Sequence, residues 1–144
     1  MTNFEVLIQC EPELIPTIGN SGDAGYDLRA AEEIVIQPGA RQLVSTGVRL
    51  ALPAGYVALV HPRSGLALKN GITVLNAPGT VDAGYRGEIA VTLINHSAET
   101  FSIARGDRIA QIIFQKFENP RFVEVSELPG SQRGNAGFGS TGVK

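Results

Sequence analysis

The sequence predicts an all-β domain of sandwich, jelly-roll or barrel type, with one short helix and a glycine-rich C-terminal tail, and three observations point there. Val, Ile and Thr make up 32 of the 144 residues, and their stiff, branched side chains suit the pleated surface of a strand. Glycine and proline, 17 and 8 residues, are spread along the chain as turn formers. Between them recur short apolar runs of strand length at the spacing of an all-β domain.

In order, those runs are Phe4–Gln9, Glu33–Gln37, Gln42–Leu52, Tyr56–His61, Ile72–Leu75, Glu88–Asn95, Arg108–Phe117 and Phe122–Val125. Gln37-Pro38-Gly39, Leu52-Pro53-Ala54-Gly55, Ala77-Pro78-Gly79 and Arg105-Gly106-Asp107 lie between them and offer proline at a turn's second position or glycine where positive φ is wanted. One segment departs from the β pattern. From Ser64 to Gly71 the chain has a capping residue at Ser64, good helix formers, a late Lys69 and a terminal glycine, which predicts a short helix. Pro62-Arg63-Ser64 at its start brings a guanidinium, a hydroxyl and free backbone N–H groups to the positive helix end, which suits an anion. An ordinary capped turn fits the same residues. After Pro129 the texture changes to a glycine-rich stretch holding Arg133, Phe138 and the pair Ser140-Thr141. A featureless mobile terminus and a lid over a phosphorylated aromatic ligand both fit that composition. No repeat is found, and no domain boundary precedes residue 118.

Composition excludes several classes of function. A chain of this length buries about 68–70% of its unfolded surface, so a core can stabilise it without disulfides or a structural metal. Cys10 is the single cysteine, so no internal disulfide forms, and one Cys with two His leave no zinc site. The balance of 12 Lys and Arg against 14 Asp and Glu gives a net charge of −2. Such a molecule has no field to steer nucleic acid or an anionic membrane toward it, so neither is expected as a partner. Nine aromatic residues without Trp are too few for a stacking platform on single strands. No apolar run reaches the ~18 residues of a membrane helix, and Met1–Glu5 lacks the basic-then-apolar layout of a signal peptide. A cytoplasmic location is the expectation.

Five stretches carry the chemistry: Ala24-Gly25-Tyr26-Asp27-Leu28, Pro62-Arg63-Ser64-Gly65-Leu66-Ala67, Gly79-Thr80-Val81-Asp82-Ala83-Gly84-Tyr85-Arg86-Gly87-Glu88-Ile89, Arg105-Gly106-Asp107-Arg108-Ile109-Ala110-Gln111 and Arg133-Gly134-Asn135-Ala136-Gly137-Phe138-Gly139-Ser140-Thr141-Gly142. In identity, order and spacing they resemble the five motifs of the trimeric dUTP pyrophosphatases (dUTPases), from about residue 20 to 142. The resemblance implies a distorted jelly-roll-like β-sandwich over residues 1–128, and a mobile lid, residues 129–144, closing over an active site of a neighbouring subunit. It also implies a homotrimer with shared sites. The implied reaction is Mg²⁺-assisted attack of water on the α-phosphorus of dUTP, giving dUMP and pyrophosphate, keeping uracil out of DNA and supplying the precursor of dTMP.

The same resemblance assigns residues. Asp82 becomes the general base that holds the nucleophilic water, as a reaction of mainly positioning and charge stabilisation requires; on its own, ahead of Ala83-Gly84, it reads equally as an Asx-type turn. Asp27 reaches Mg²⁺ through a coordinating water, in keeping with a cation that retains waters and prefers substrate phosphates. Arg63, Ser64, Gly65 and Gln111 hold the phosphates, with Ser64 near the α–β bridging oxygen where charge grows. Asn76, Thr80 and Val81 serve base and sugar. Backbone pairing with the uracil edge there rejects cytosine through a donor facing a donor. Tyr85 packs on the deoxyribose and leaves no room for a 2′-hydroxyl. In the tail, Arg133 meets the γ-phosphate, Phe138 stacks on uracil, and Gly139, Ser140 and Thr141 cover the phosphates. Ala136 departs from the family pattern, which has glycine there; if that position needs positive φ, closure is weakened by ~1 kcal/mol. Arg86, Arg105 and Arg108 fit either phosphate or interface roles. A dCTP deaminase, or a bifunctional deaminase–pyrophosphatase, of the same fold and a non-enzymatic trimeric binding module are the competing readings. Ammonia release from dCTP marks the first, and protein binding without hydrolysis the second.

Overall fold

The structure, a computed structural model, describes residues 3–144. Its elements in chain order are β1 (Leu7–Gln9), β2 (Tyr26–Arg29), β3 (Ile34–Ile36), β4 (Arg41–Ala51), β5 (Tyr56–His61), α1 (Ser64–Asn70), β6 (Ile72–Val74), β7 (Gly79–Val81), β8 (Ile89–Asn95), β9 (Phe101–Ile103) and β10 (Arg108–Lys116). One antiparallel sheet has the order β1-β4-β8-β6, a second β2-β10-β5-β7, and β3 pairs with β9 alone. Alternate residues of both large sheets meet in one core: Val44, Val48, Val91 and Leu93 from the first, Leu28, Ile112, Ala58 and Val60 from the second. This is the β-sandwich of the expected jelly-roll-like kind, and its side-chain period of two is what the alternating runs encoded.

Seven of the eight expected strands are present, with ends shifted by up to three residues. Phe4 lies outside β1, and its ring stacks on Tyr56 with centroids 4.1 Å apart. The eighth, Phe122–Val125, is not a strand. Among the described residues no sheet edge pairs with it, and its side chains stand in solvent beyond β10. Conversely, β2, β7 and β9 were not anticipated, because Tyr26–Arg29, Gly79–Val81 and Phe101–Ile103 are short and lie among charged and turn-forming residues with no longer apolar run around them.

The helix forms where expected, but its start moves by one residue. Arg63 occupies the N-cap in extended conformation with no side-chain cap bond, and Ser64 is the first helical residue, so its hydroxyl is not spent on capping. Gly71 closes the helix at φ 64°, the left-handed conformation that glycine adopts without penalty. Two buried polar residues staple the sandwich. Asn95 donates to the carbonyls of Ile36 (3.0 Å) and Glu99 (2.7 Å) and accepts from the backbone and hydroxyl of Ser97, tying β8 to the β3–β9 pair. Thr46 donates to the carbonyl of Ile89 beside a bulge in β4, where the register slips between Ser45 and Val48.

Candidate active site

Antiparallel pairing of β5 with β7 carries the chain from Gly79, opposite Val60, to Val81, opposite Ala58, and into a turn closed by the Tyr85 N–H donating to the Asp82 carbonyl at 3.1 Å. That turn opens on a cleft of about 210 Å³ lined by Asn76, Gly79, Thr80, Val81, Asp82 and Tyr85 together with Glu88 and apolar residues of β5, β6 and β8. The cleft is small beside the 300–1,000 Å³ of drug-sized sites. The residues assigned to base, sugar and water thus gather in one place, Phe138 of the tail excepted. The ion pairs of the described residues engage Asp27, Glu11 and Glu13 but not Asp82, whose carboxylate is exposed at the cleft.

A second cluster forms around Asp27. Cross-strand register places Asp27 opposite Gln111, and Gln111 opposite His61, in one row over β2, β10 and β5. Asp27 takes the Arg63 guanidinium at 3.3 Å and that of Arg108 at 3.7 Å, and Arg63 donates to the Arg108 carbonyl at 3.4 Å. Gln111 donates to the Pro62 carbonyl at 2.9 Å, fixing the segment that leads into α1. Gly25 admits this arrangement, since a Cβ there would overlap the Gln111 amide oxygen. Ser64 and Gly65 stand exposed at the head of α1 beside Arg63. Two guanidiniums about one carboxylate leave positive charge in excess, which an anion can take up.

The tail contributes to neither cluster within this chain. Its residues are exposed apart from half-buried Gly137, and it folds as a string of turns: Arg133 Nε donates to the Ala136 carbonyl at 2.6 Å, and Ser140 and Gly142 N–H groups bond back to Gly137 and Gly139. Phe138 is fully exposed at φ 48°, the one non-glycine residue of the described chain with positive φ. Ala136 has no positive φ here, so the expected penalty at that position is not incurred in this conformation. Of the arginines left open by sequence, Arg86 braces the turn of the cleft, bonding the carbonyls of Ala83 (2.6 Å) and Tyr85 (3.2 Å), and Arg105 pairs with Glu11 and Glu13. Glu88 lines the cleft without having been assigned a role; the signal for it was its place in the third stretch, three residues after Tyr85.

Among the described residues no group of three or more His, Cys, Asp or Glu is placed to hold a metal ion. Asp27, already paired with Arg63 and Arg108, offers a divalent cation one carboxylate at most, so a cation there would have to be carried mainly by a ligand's phosphates. Among the described residues no helix is long and apolar enough to cross a membrane.

The sequence model of the dUTPase family matches residues 12–142. A deoxyuridine 5′-triphosphate nucleotidohydrolase of Thermobifida fusca is 57% identical over 134 residues, covering 92% of this chain and 75% of that protein. The protein of the same name from Bifidobacterium longum subsp. infantis is 55% identical over 143 residues, with 96% and 90% covered. Among solved structures, a variant of the Staphylococcus bacteriophage 80alpha dUTPase with dUpNHpp superposes with a TM-score of 0.89 at 27% identity, covering 98% of this chain and 100% of that one. A dUTPase variant from phage phi11 of S. aureus, in which a structural Mg(II) ion is coordinated, has a TM-score of 0.80 at 24% identity, with 88% and 100% covered.

Proposed function

The chain belongs to the dUTPase family, and from that premise we propose how its own residues carry out the family's reaction. The protein hydrolyses dUTP to dUMP and pyrophosphate. In our reading the cleft of Asn76, Gly79–Val81 and Tyr85 takes the deoxyuridine, and the exposed Asp82 carboxylate orients and deprotonates the attacking water. Arg63, Ser64, Gly65 and Gln111 hold the triphosphate. Asp27 would be the residue that holds Mg²⁺, and the ion, when bound, would supply neutralisation of the phosphate charge. Arg133, Phe138, Gly139, Ser140 and Thr141 close over the nucleotide as a lid built of residues 129–144.

One observation carries the further proposal that sites are shared between copies in a homotrimer. Gln111 lies level with His61 on β5, whereas Asp82 follows Val81, which lies level with Ala58. Four residues along the strand amount to roughly 13 Å, and β5 stands between β7 and β10. The Gln111 side chain turns toward Pro62, still farther from Asp82. A water poised about 3–3.5 Å from the α-phosphorus cannot touch Asp82 while the phosphates sit on Gln111 and Arg63 of the same chain. A second copy, docked so that its Asp27–Arg63–Gln111 cluster faces this cleft, closes the gap. The exposed tail, which serves neither cluster of its own chain, is then free to cap a site elsewhere in the assembly.

The test is pyrophosphate release with Mg²⁺ from dUTP, dCTP, dTTP and UTP in parallel, with ammonia recorded. Release confined to dUTP is expected; ammonia from dCTP would reassign the cleft to deamination.

A further inference from the structure

The position of Tyr85 is set directly by two residues, Glu88 and Gly87. Its hydroxyl donates to the backbone carbonyl of Glu88 at 2.8 Å, which draws the ring back over its own turn. The ring lies where a side chain on residue 87 would be: a Cβ built on Gly87 overlaps the hydroxyl, Cζ and Cε1 of Tyr85. Gly87 has no positive φ, so glycine is required there for space and not for backbone conformation. Glu88 is itself fastened from the other side. Its Oε1 accepts from the Gly47 N–H at 2.7 Å and from the Ser45 hydroxyl, at the bulge of β4, while its backbone leads into β8. A half-buried carboxylate held by two donors of the neighbouring strand β4 cannot drift, and neither can the carbonyl on which Tyr85 rests.

We propose that Gly87 and Glu88 are specificity-determining positioning residues for the sugar. Glu88, clasped by the β4 bulge, fixes the carbonyl that anchors the Tyr85 hydroxyl, and Gly87 leaves the ring room to lie flat. Together they set the wall against which a ribose 2′-hydroxyl collides. This rests on the reading of Tyr85 as the residue that packs on the deoxyribose. A side chain at position 87 pushes the ring off that wall, and loss of the Glu88 clasp lets the anchoring carbonyl move; either change admits a ribonucleotide.

The experiment compares kcat/KM for dUTP and for UTP in the full chain, in Gly87→Ala, Glu88→Ala and Glu88→Gln, and in Tyr85→Ala as control, with melting temperature recorded for each. Gly87→Ala and Glu88→Ala are expected to raise the UTP-to-dUTP ratio by about tenfold or more. Glu88→Gln, which keeps an acceptor for Ser45 and Gly47, restores the ratio of the unchanged protein. A merely structural role would lower both substrates alike and leave the ratio unmoved. If Tyr85→Ala relaxes the ratio and Gly87→Ala does not, the clasp is overturned while the reading of Tyr85 stands. If Tyr85→Ala leaves the ratio intact, the sugar-packing reading falls and the clasp with it. Should Glu88→Ala fail to fold, Gly87→Ala decides, because its glycine has ordinary φ and the exposed ring beside it can swing outward.

Discussion

Asp82 is one of fourteen acidic residues, and its surroundings distinguish it from the others. It stands at the mouth of the cleft with no ion-pair partner among the described residues, whereas Asp27, the other carboxylate of the proposed site, is held by Arg63 and Arg108. An unencumbered carboxylate is available to take a proton from water, whereas a doubly paired one is held in place by its two cations. Asp82→Asn is expected to lower kcat by about 10²–10⁴-fold, the usual contribution of a positioned general base, with dUTP binding and melting temperature unchanged. Single-turnover kinetics beside equilibrium binding separate these quantities, and near-native turnover would exclude Asp82 as the base. Cys10 gives a second prediction at this scale. Burial, then the nearby charges of Glu13 and Glu11, push its thiol above the ordinary range. At pH 8 a smaller share of it is thiolate than in a free peptide, so alkylation by iodoacetamide is slower than for the peptide and gains more as pH rises further. The side-chain identities were legible in the sequence, but the pairing of Asp27 with two arginines, one 36 and one 81 residues away, was not. Ser64 makes the same point: the sequence marks a helix start there, but whether the hydroxyl caps the helix depends on which residue takes the extended conformation.

Among elements, the anticipated strands were readable because each lies in an apolar run bounded by turn residues, and the helix because of its capping position, helix formers and closing Gly71. β2, β7 and β9 lie in polar or glycine-rich stretches without such a run and take strand form by pairing with β10, β5 and β3. Phe122–Val125 shows the converse: an apolar, β-branched run that looks like a strand but has no partner edge in its own chain, and a strand without a ladder is not a strand. The buried Asn95 shows how one polar group can hold two elements together. Asn95→Ala leaves the carbonyl of Ile36 and its neighbours without donors and is expected to cost about 1–3 kcal/mol, read as a lower urea midpoint at unchanged slope. The tail gives the opposite expectation. Residues beyond Pro129 pack against nothing in the core, so deleting them should leave the melting temperature in place while dUTP turnover collapses. An unfolded truncation would show the tail to be structural and overturn the lid.

For the whole molecule, the decisive quantity is the separation of the two clusters along one sheet. If sites are shared, a chain bearing Asp82→Asn and a chain truncated after Pro129 damage different parts of the site, so mixed assemblies contain some sites with every part intact. Subunit exchange between the two inactive proteins is expected to restore part of the activity, measured as pyrophosphate release after verified mixing; no recovery would place each site within one chain. The sequence by itself determined the all-β class, the helix at residues 64–70 and the candidate residues of the site. These follow from local periodicity, turn chemistry and five short stretches whose residue types suit the chemistry. Only the tertiary structure decided that Asn76, Thr80, Val81, Asp82 and Tyr85 share a cleft while Asp27, Arg63 and Gln111 gather at the far end of the same sheet. It also decided that Glu88 ties the tyrosine of that cleft to a bulge in β4. The physical reason is the same in each case: period and turn are properties of neighbours in the chain, whereas register, ion pairs and clefts arise from residues far apart in sequence that only the closed sheets bring into contact.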